Sequence, residues 1–253
     1  MNNATDTPVL WMVMPIAVIA VAYLIGSIPW AYLIVKWVAS EDITTHGTGN
    51  VGAMNVKRTT GSWMWFTVAM VADAAKGFVP ALLAKLLVSG TPVDWGFALG
   101  AWSNALRTAF DASAADLTPA RIIVALTPML AVFGAVFGHN YSLWLAIKNR
   151  KFARTGKGLA TGGGALLAYD WRYFLVVVVV GLLTIAITKY MMAGQVSAAL
   201  SLPIFAIATR QPDWPFALLM GLIVYWAHHK RFIGLLQGKE PRFYTKDAMG
   251  PRG

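Results

Sequence analysis

Residues 9–38 read VLWMVMPIAVIAVAYLIGSIPWAYLIVKWV, with Lys36 as the only charge. Roughly 20 predominantly apolar residues suffice to cross a bilayer core. The stretch therefore predicts a first transmembrane helix, long enough to tilt or to extend past the bilayer face. The pattern recurs downstream: further spans are predicted at Trp63–Val88, Ile122–Ile147, Leu159–Tyr169, Tyr173–Lys189, Val196–Thr209 and Trp214–Trp226. The fold class that follows is an all-α polytopic membrane protein of about seven transmembrane helices. The segment Trp95–Phe110 is apolar but carries Asn104 and Arg107, and it reads as an interfacial or re-entrant piece.

Composition agrees with this reading. Of 253 residues, 57% are hydrophobic and 13% charged, against about 25% charged in a soluble domain. An ordinary cytosolic enzyme and a disordered chain are both excluded. There is no cysteine, hence no disulfide framework, thiolate zinc site or cysteine nucleophile.

The net charge of +10 is distributed by side. No Lys or Arg precedes Lys36, whereas a signal peptide opens on a positive segment. The first span is therefore expected to be a retained helix with its N-terminus outside. Seven spans then leave only Arg107, Arg121, Arg172 and Arg210 on the outer side, and Lys76 and Lys85 inside the second span. Every other Lys and Arg falls on the cytoplasmic side, as does the C-terminus. Cytoplasmic loops of membrane proteins carry this excess. It accounts for the positive balance with the lipid bilayer as partner and no nucleic acid.

The cytoplasmic loops hold the polar chemistry. The first runs His46-Gly47-Thr48-Gly49-Asn50-Val51-Gly52-Ala53-Met54-Asn55-Val56-Lys57-Arg58. Glycines let backbone N–H groups close on an anion, and Arg grips phosphate through two donors. A plain glycine-rich turn explains the glycines but not the grouping of Asn50, Asn55 and Arg58. The next runs Arg154-Thr155-Gly156-Lys157-Gly158-Leu159-Ala160-Thr161 into an apolar helix. A glycine turn at a helix N-terminus with a lysine inside it is an anion site in outline. It is not a Walker A loop, because Lys157 is followed by Gly158 rather than Ser or Thr. The last begins at His228 and reaches Glu240. His228 reads as a proton shuttle, an anion contact or a snorkelling interface residue. Within the second span, Asp73 and Lys76 share a helix face, either as a substrate-side lysine or ion pathway, or as a neutralised packing pair.

Three loops rich in glycine, amide and cation, with few acids, suit a substrate with two anionic groups. Apolar helices around them suit a fatty chain. Two competing classes remain: a polytopic transporter or channel for an anionic solute, for which no convincing inverted repeat is present, and a metal-dependent phosphotransferase, for which the acids are scattered rather than clustered. A zinc site is disfavoured by the four dispersed His.

At these residues the sequence resembles the PlsY family, bacterial membrane acyl-phosphate:glycerol-3-phosphate acyltransferases. The resemblance runs from Tyr23 to Phe243. It rests on Tyr23 to Pro29, Gly47 to Asn55 with Arg58, Asp73 to Ala81, Gly138-His139-Asn140-Tyr141, Thr155 to Thr161, and His228 to Glu240. It implies seven helices, an outside N-terminus and one integral membrane domain over 1–253, in the cell membrane with the active site on the cytoplasmic face. It implies transfer of an acyl group from acyl phosphate to the 1-hydroxyl of glycerol 3-phosphate, giving lysophosphatidate and phosphate, the first step of phospholipid synthesis. No cofactor, CoA, acyl-carrier protein or metal is implied.

Carried over by position, Lys157, Arg58, His228 and Thr48 form the catalytic set, and Gly49, Asn50, Gly52, Asn55, Gly156, Gly158 and Glu240 bind substrate. The sequence departs from the family pattern in places. Thr48 replaces Ser, Arg154-Thr155 replace Lys-Gly, and Arg231 replaces Asn. Met191 to Gln195 stand where the family has serines, leaving Gln195 or Ser197 as substitutes. Residues 95–121 read as an outer-face insertion and 241–253 as a cytoplasmic tail.

Overall fold

The structure is a computed structural model that describes residues 8–89 and 119–240. The segment 95–118 and the tail 241–253 lie outside the described residues. The helices are α1 (Pro8–Gly26), α2 (Trp30–Ala39), α3 (Ala53–Thr60), α4 (Trp63–Ser89), α5 (Pro119–Asn140), α6 (Leu143–Asn149), α7 (Leu159–Tyr169), α8 (Trp171–Thr188), α9 (Met191–Ala208) and α10 (Trp214–Leu236), with a 3-10 turn at Ile43–Thr45. Long apolar helices recur as expected, and no strand occurs among the described residues.

Two spans read as continuous are each broken in two. The first helix stops at Gly26 and the chain restarts as α2 after Ser27-Ile28-Pro29. Proline removes a helix donor and disfavours helical backbone in the residue before it. The 19 residues of α1 span about 28 Å, close to a hydrocarbon core on their own. Helix α2 buries Ala31, Ile34 and Val35 and leaves the apolar Leu33, Trp37 and Val38 exposed. Likewise α5 ends at Asn140, and Ser142 caps a separate α6 by accepting from the Leu145 N–H. The last helix runs past the expected Trp226 to Leu236, carrying its polar end with it.

A broken helix leaves carbonyls without partners in an apolar setting. Here they are taken by two side chains from elsewhere in the chain. Lys76 Nζ donates to the Ile28 carbonyl at 2.7 Å, and Ser142 Oγ donates to the Ser27 carbonyl at 2.5 Å. Lys76 also pairs with Asp73 at 2.8 Å. The intramembrane pair therefore has a structural employment, holding the α1–α2 break against α4. A second buried lysine, Lys85, donates to the Ala168 and Tyr169 carbonyls at 2.8 and 3.3 Å. It caps the C-terminal end of α7, where cations are favoured.

Helix α1 packs on α5, α4 on α7, and α8, α9 and α10 pack in series. Small residues bring α4 and α7 close: a Cβ on Gly164 would collide with the Ala74 carbonyl, and one on Gly77 with the Thr161 carbonyl. The core between them is Val132, Val136, Ala165, Tyr169 and Tyr173 with Leu202 and Met220. The two tyrosine hydroxyls donate to the buried Asp213 carboxylate at 2.8 and 2.7 Å. Gly164→Ala is expected to destabilise the protein by about 1–3 kcal/mol through overpacking, seen as a lower midpoint in thermal unfolding of detergent-purified protein.

Candidate functional site

Chain alternation brings the loop after α2, the loop before α7 and the end of α10 to one end of the bundle. The first two are joined through backbone: the Val51 N–H donates to the Thr155 carbonyl at 2.8 Å, and the Thr155 N–H donates to the Asn140 carbonyl at 2.8 Å. The two glycine-rich segments thus form one frame hung on the end of α5.

The first loop is shaped from within. Asp42 caps the 3-10 turn by accepting from the Thr44 N–H at 2.9 Å. It pairs with Lys148 of α6 at 2.6 Å, which with the Thr44 bonds holds its carboxyl down to about 2 against the opposing effect of burial. Asn55 is 1% exposed. Its Nδ2 donates to the His46 carbonyl at 2.9 Å and the Ile43 carbonyl at 3.1 Å, while Oδ1 accepts from the Thr48 N–H at 3.4 Å. Asn55 therefore works from below, holding the turn that carries Thr48, Gly49 and Asn50. Gly49 has φ of 68°, in the left-handed region that glycine enters without strain. Thr48 stands exposed in this turn, Asn50 is half-buried, and Gly52 caps α3. Arg58 follows near the end of α3, with its Cδ close to Gly47.

The second loop is tighter. Thr155 Oγ1 lies 3.2 and 3.3 Å from the His139 and Asn140 carbonyls and 3.3 Å from the Ser142 N–H. Arg154 Nε donates to the Gly156 carbonyl at 3.0 Å. Gly158 is the N-cap of α7 with φ of 74°. Lys157 is thereby presented beside the positive end of α7. Within this helix start, Thr161 Oγ1 is buried without a partner, as is Asn140 Oδ1 beside it.

Electrostatics show which side chains converge. Burial lowers the Lys157 ammonium to about 8, reinforced by Arg231, Arg154 and Arg58 and opposed by Glu240. Burial and then Arg231 lower Arg58. Burial chiefly, with Lys157, Arg154 and Arg231 adding to it, pushes the His228 imidazole down to about 4. Arg58, Arg154, Lys157, His228, Arg231 and Glu240 thus share one neighbourhood. Glu240 is held by Arg231 through bonds at 2.9 and 2.5 Å. It is the acid acting on this neighbourhood among the described residues.

His228 is 2% exposed. Its Nδ1 lies 2.8 Å from the Val224 carbonyl. A carbonyl only accepts, so Nδ1 carries the hydrogen and Nε2 is left with its lone pair. That Nε2 is buried without a partner. The site therefore offers a cluster of cations, the N-terminus of α7 and one unused acceptor, a set suited to anionic groups.

Arg58, Lys157, His228 and Glu240 come together from three distant segments, with Gly156 and Gly158 shaping the turn around Lys157. Arg154 and Arg231 belong with them, although the sequence does not single them out as site residues. Arg231 lies three residues after His228, on the same helix face, which is the available signal. Of the two substitutes for the family serines, Ser197 is engaged with Thr184 of α8 at 2.9 Å, and Gln195 Oε1 is buried without a partner. Among the described residues, no three His, Asp or Glu side chains gather as metal ligands.

Comparison with known proteins gives consistent matches. The family described as glycerol-3-phosphate acyltransferase matches residues 16–238. A glycerol-3-phosphate acyltransferase of Synechococcus sp. (strain JA-2-3B'a(2-13)) is 34% identical over 231 residues, covering 90% of this chain and 94% of that protein. The enzyme of the same name from Desulforudis audaxviator (strain MP104C) is 32% identical over 90% of this chain and 95% of its own length. Among solved structures, the crystal structure of PlsY (YgiH), an integral membrane glycerol 3-phosphate acyltransferase, in its glycerol 3-phosphate form superposes with a TM-score of 0.69 at 25% identity. It covers 94% of this chain and 99% of that one.

Lys157 is charged below its pKa and neutral above it. Binding of inorganic phosphate to the purified protein is therefore expected to weaken as pH rises through about 8. Lys157→Arg, charged throughout this range, is expected to abolish that inflection, as read by calorimetric titration at several pH values.

Proposed function

This chain belongs to the glycerol-3-phosphate acyltransferase family, and from that premise we propose that its acyl donor is an acyl phosphate, held with glycerol 3-phosphate in the pocket of Arg58, Lys157, Arg231 and His228. The acylation of glycerol 3-phosphate is the family's activity and is this protein's. The observation that carries the assignment of the pocket is the gathering of Arg58, Arg154, Lys157 and Arg231 around Glu240. Like charges repel, so such a cluster is stabilised by anions placed between its members. Two phosphate groups supply them.

An acyl phosphate is a mixed anhydride and needs only light activation. The 1-hydroxyl oxygen of glycerol 3-phosphate attacks the acyl carbonyl carbon, and the bond from that carbon to the phosphate oxygen breaks. His228 Nε2 accepts the hydrogen bond that aligns the hydroxyl. The proton ends on the departing phosphate: breaking the carbon–oxygen bond leaves it one negative charge richer, a far stronger base than an imidazole lowered to about 4. Arg58, Lys157 and the amides at the start of α7 neutralise charge and hold the reacting atoms together. Thr48, Gly49, Asn50 and Gly52 line the approach, with Asn55 setting their shape and Glu240 tempering Arg231.

The same reading orients the chain. Its Lys and Arg distribution supports a pocket on the cytoplasmic face of the cell membrane, the N-terminus outside and the C-terminus inside, with seven spans in one domain. Among the described residues, five segments are long and apolar enough to cross a bilayer, and Leu159–Tyr169 and Trp214–Trp226 are shorter apolar helices that this reading counts as the other two spans. Residues 95–121 then fall on the outer side and 241–253 form a cytoplasmic tail.

Purified protein mixed with palmitoyl phosphate and labelled glycerol 3-phosphate is expected to yield labelled lysophosphatidate, and palmitoyl-CoA in its place is expected to yield none. Lys157→Ala is expected to lower the rate at least about a hundredfold while the protein still inserts and purifies. Wild-type rates in that variant defeat the assignment, and ping-pong kinetics contradict direct transfer.

A further inference from the structure

The motif Gly138-His139-Asn140-Tyr141 at the end of α5 takes no part in the chemistry above, yet the Lys157 loop rests on it. His139 is 8% exposed. Its Nδ1 faces Asp73 Oδ1 at 3.7 Å, an ion-pair contact longer than a hydrogen bond. That contact is looser than the 2.8 Å bond by which Lys76 holds Asp73, so the ring is not explained as the main partner of Asp73. Its other side explains it better. The Gly156 backbone lies so close that any Cβ there would collide with the ring, and would sit 2.7 Å from the His139 carbonyl oxygen. That carbonyl, with that of Asn140, lies within bonding distance of Thr155 Oγ1. The two residues immediately before Lys157 are thus fixed by one histidine, through its ring and through its backbone.

We propose that His139 is a positioning residue for Lys157: wedged between Asp73 of α4 and the Gly156 backbone, it sets where the Lys157 ammonium enters the anion pocket. This rests on the reading of Lys157 as a phosphate-binding group. The wedge is rigid on its far side because Asp73 is itself tied to Lys76, and Lys76 to the Ile28 carbonyl. Exchanging His139 for a side chain of different shape releases Gly156 and lets the lysine wander, and small misplacements of a charged group weaken binding steeply.

The test measures glycerol 3-phosphate binding, without acyl donor, to detergent-purified wild type, His139→Gln, Lys157→Ala and the double variant. Each single change is expected to weaken binding about tenfold, and the double variant to bind no more weakly than Lys157→Ala, because residues acting through one another are not additive. Losses that multiply would make His139 a structural residue only and overturn the proposal, as would unchanged binding in His139→Gln. Unchanged binding in Lys157→Ala would instead defeat the reading of the pocket. If His139→Gln does not insert, Thr155→Val removes the hydroxyl that meets the His139 carbonyl and allows the same comparison, with the same outcomes deciding it.

Discussion

Arg58 and Arg231 lie close enough to Lys157 to make its charge harder to hold, and the rest of the architecture serves to keep them there. In an empty pocket this arrangement is unfavourable. A protein can maintain it only where the backbone beneath is over-determined. The single carboxylate of Glu240, clasped by Arg231, relieves part of the repulsion and leaves the remainder for ligand. What binds is thereby defined by sign before any shape is considered.

The over-determination is visible in how breaks in helices are handled. Ending a helix within an apolar bundle exposes carbonyls that nothing in hydrocarbon can satisfy. Here each break is answered from elsewhere in the chain: Lys76 and Ser142 take the carbonyls of 27–28, and Lys85 takes those at the end of α7. The breaks separate α2 and α6 from the long helices before them, and the loops that follow α2 and α6 are joined through Val51 and Thr155.

The sequence showed the architecture through composition, because apolar runs of this length and number are at home in a bilayer and hardly anywhere else. It also exposed the glycine-rich loops, Arg58, Lys157 and His228, whose residue types are rare next to apolar spans. It did not show that Ser27-Ile28-Pro29 ends a helix, since hydropathy continues undisturbed through Pro29 and only the lost donor marks the stop. Nor did it separate Asn55, which holds the turn, from Thr48 and Asn50, which stand on it, because an amide looks the same in either role until its partners are known. Arg231 was hidden for a different reason. Among many basic residues on one side of a membrane, a cation with a task is indistinguishable from one that only fixes orientation. The Asp73–Lys76 pair was ambiguous in the same way, and it was resolved by a backbone carbonyl 48 residues earlier.

The frame that joins the two glycine loops is made of bonds between neutral groups, Val51 to Thr155 and Thr155 to Asn140, whereas everything the frame presents is charged. Added electrolyte screens charges over a Debye length of about 8 Å at physiological strength and leaves amide bonds almost untouched. Ionic strength therefore acts on how often the pocket is filled and hardly at all on its shape. Multivalent anions, which can sit between the cations, compete for it more strongly than chloride at the same ionic strength.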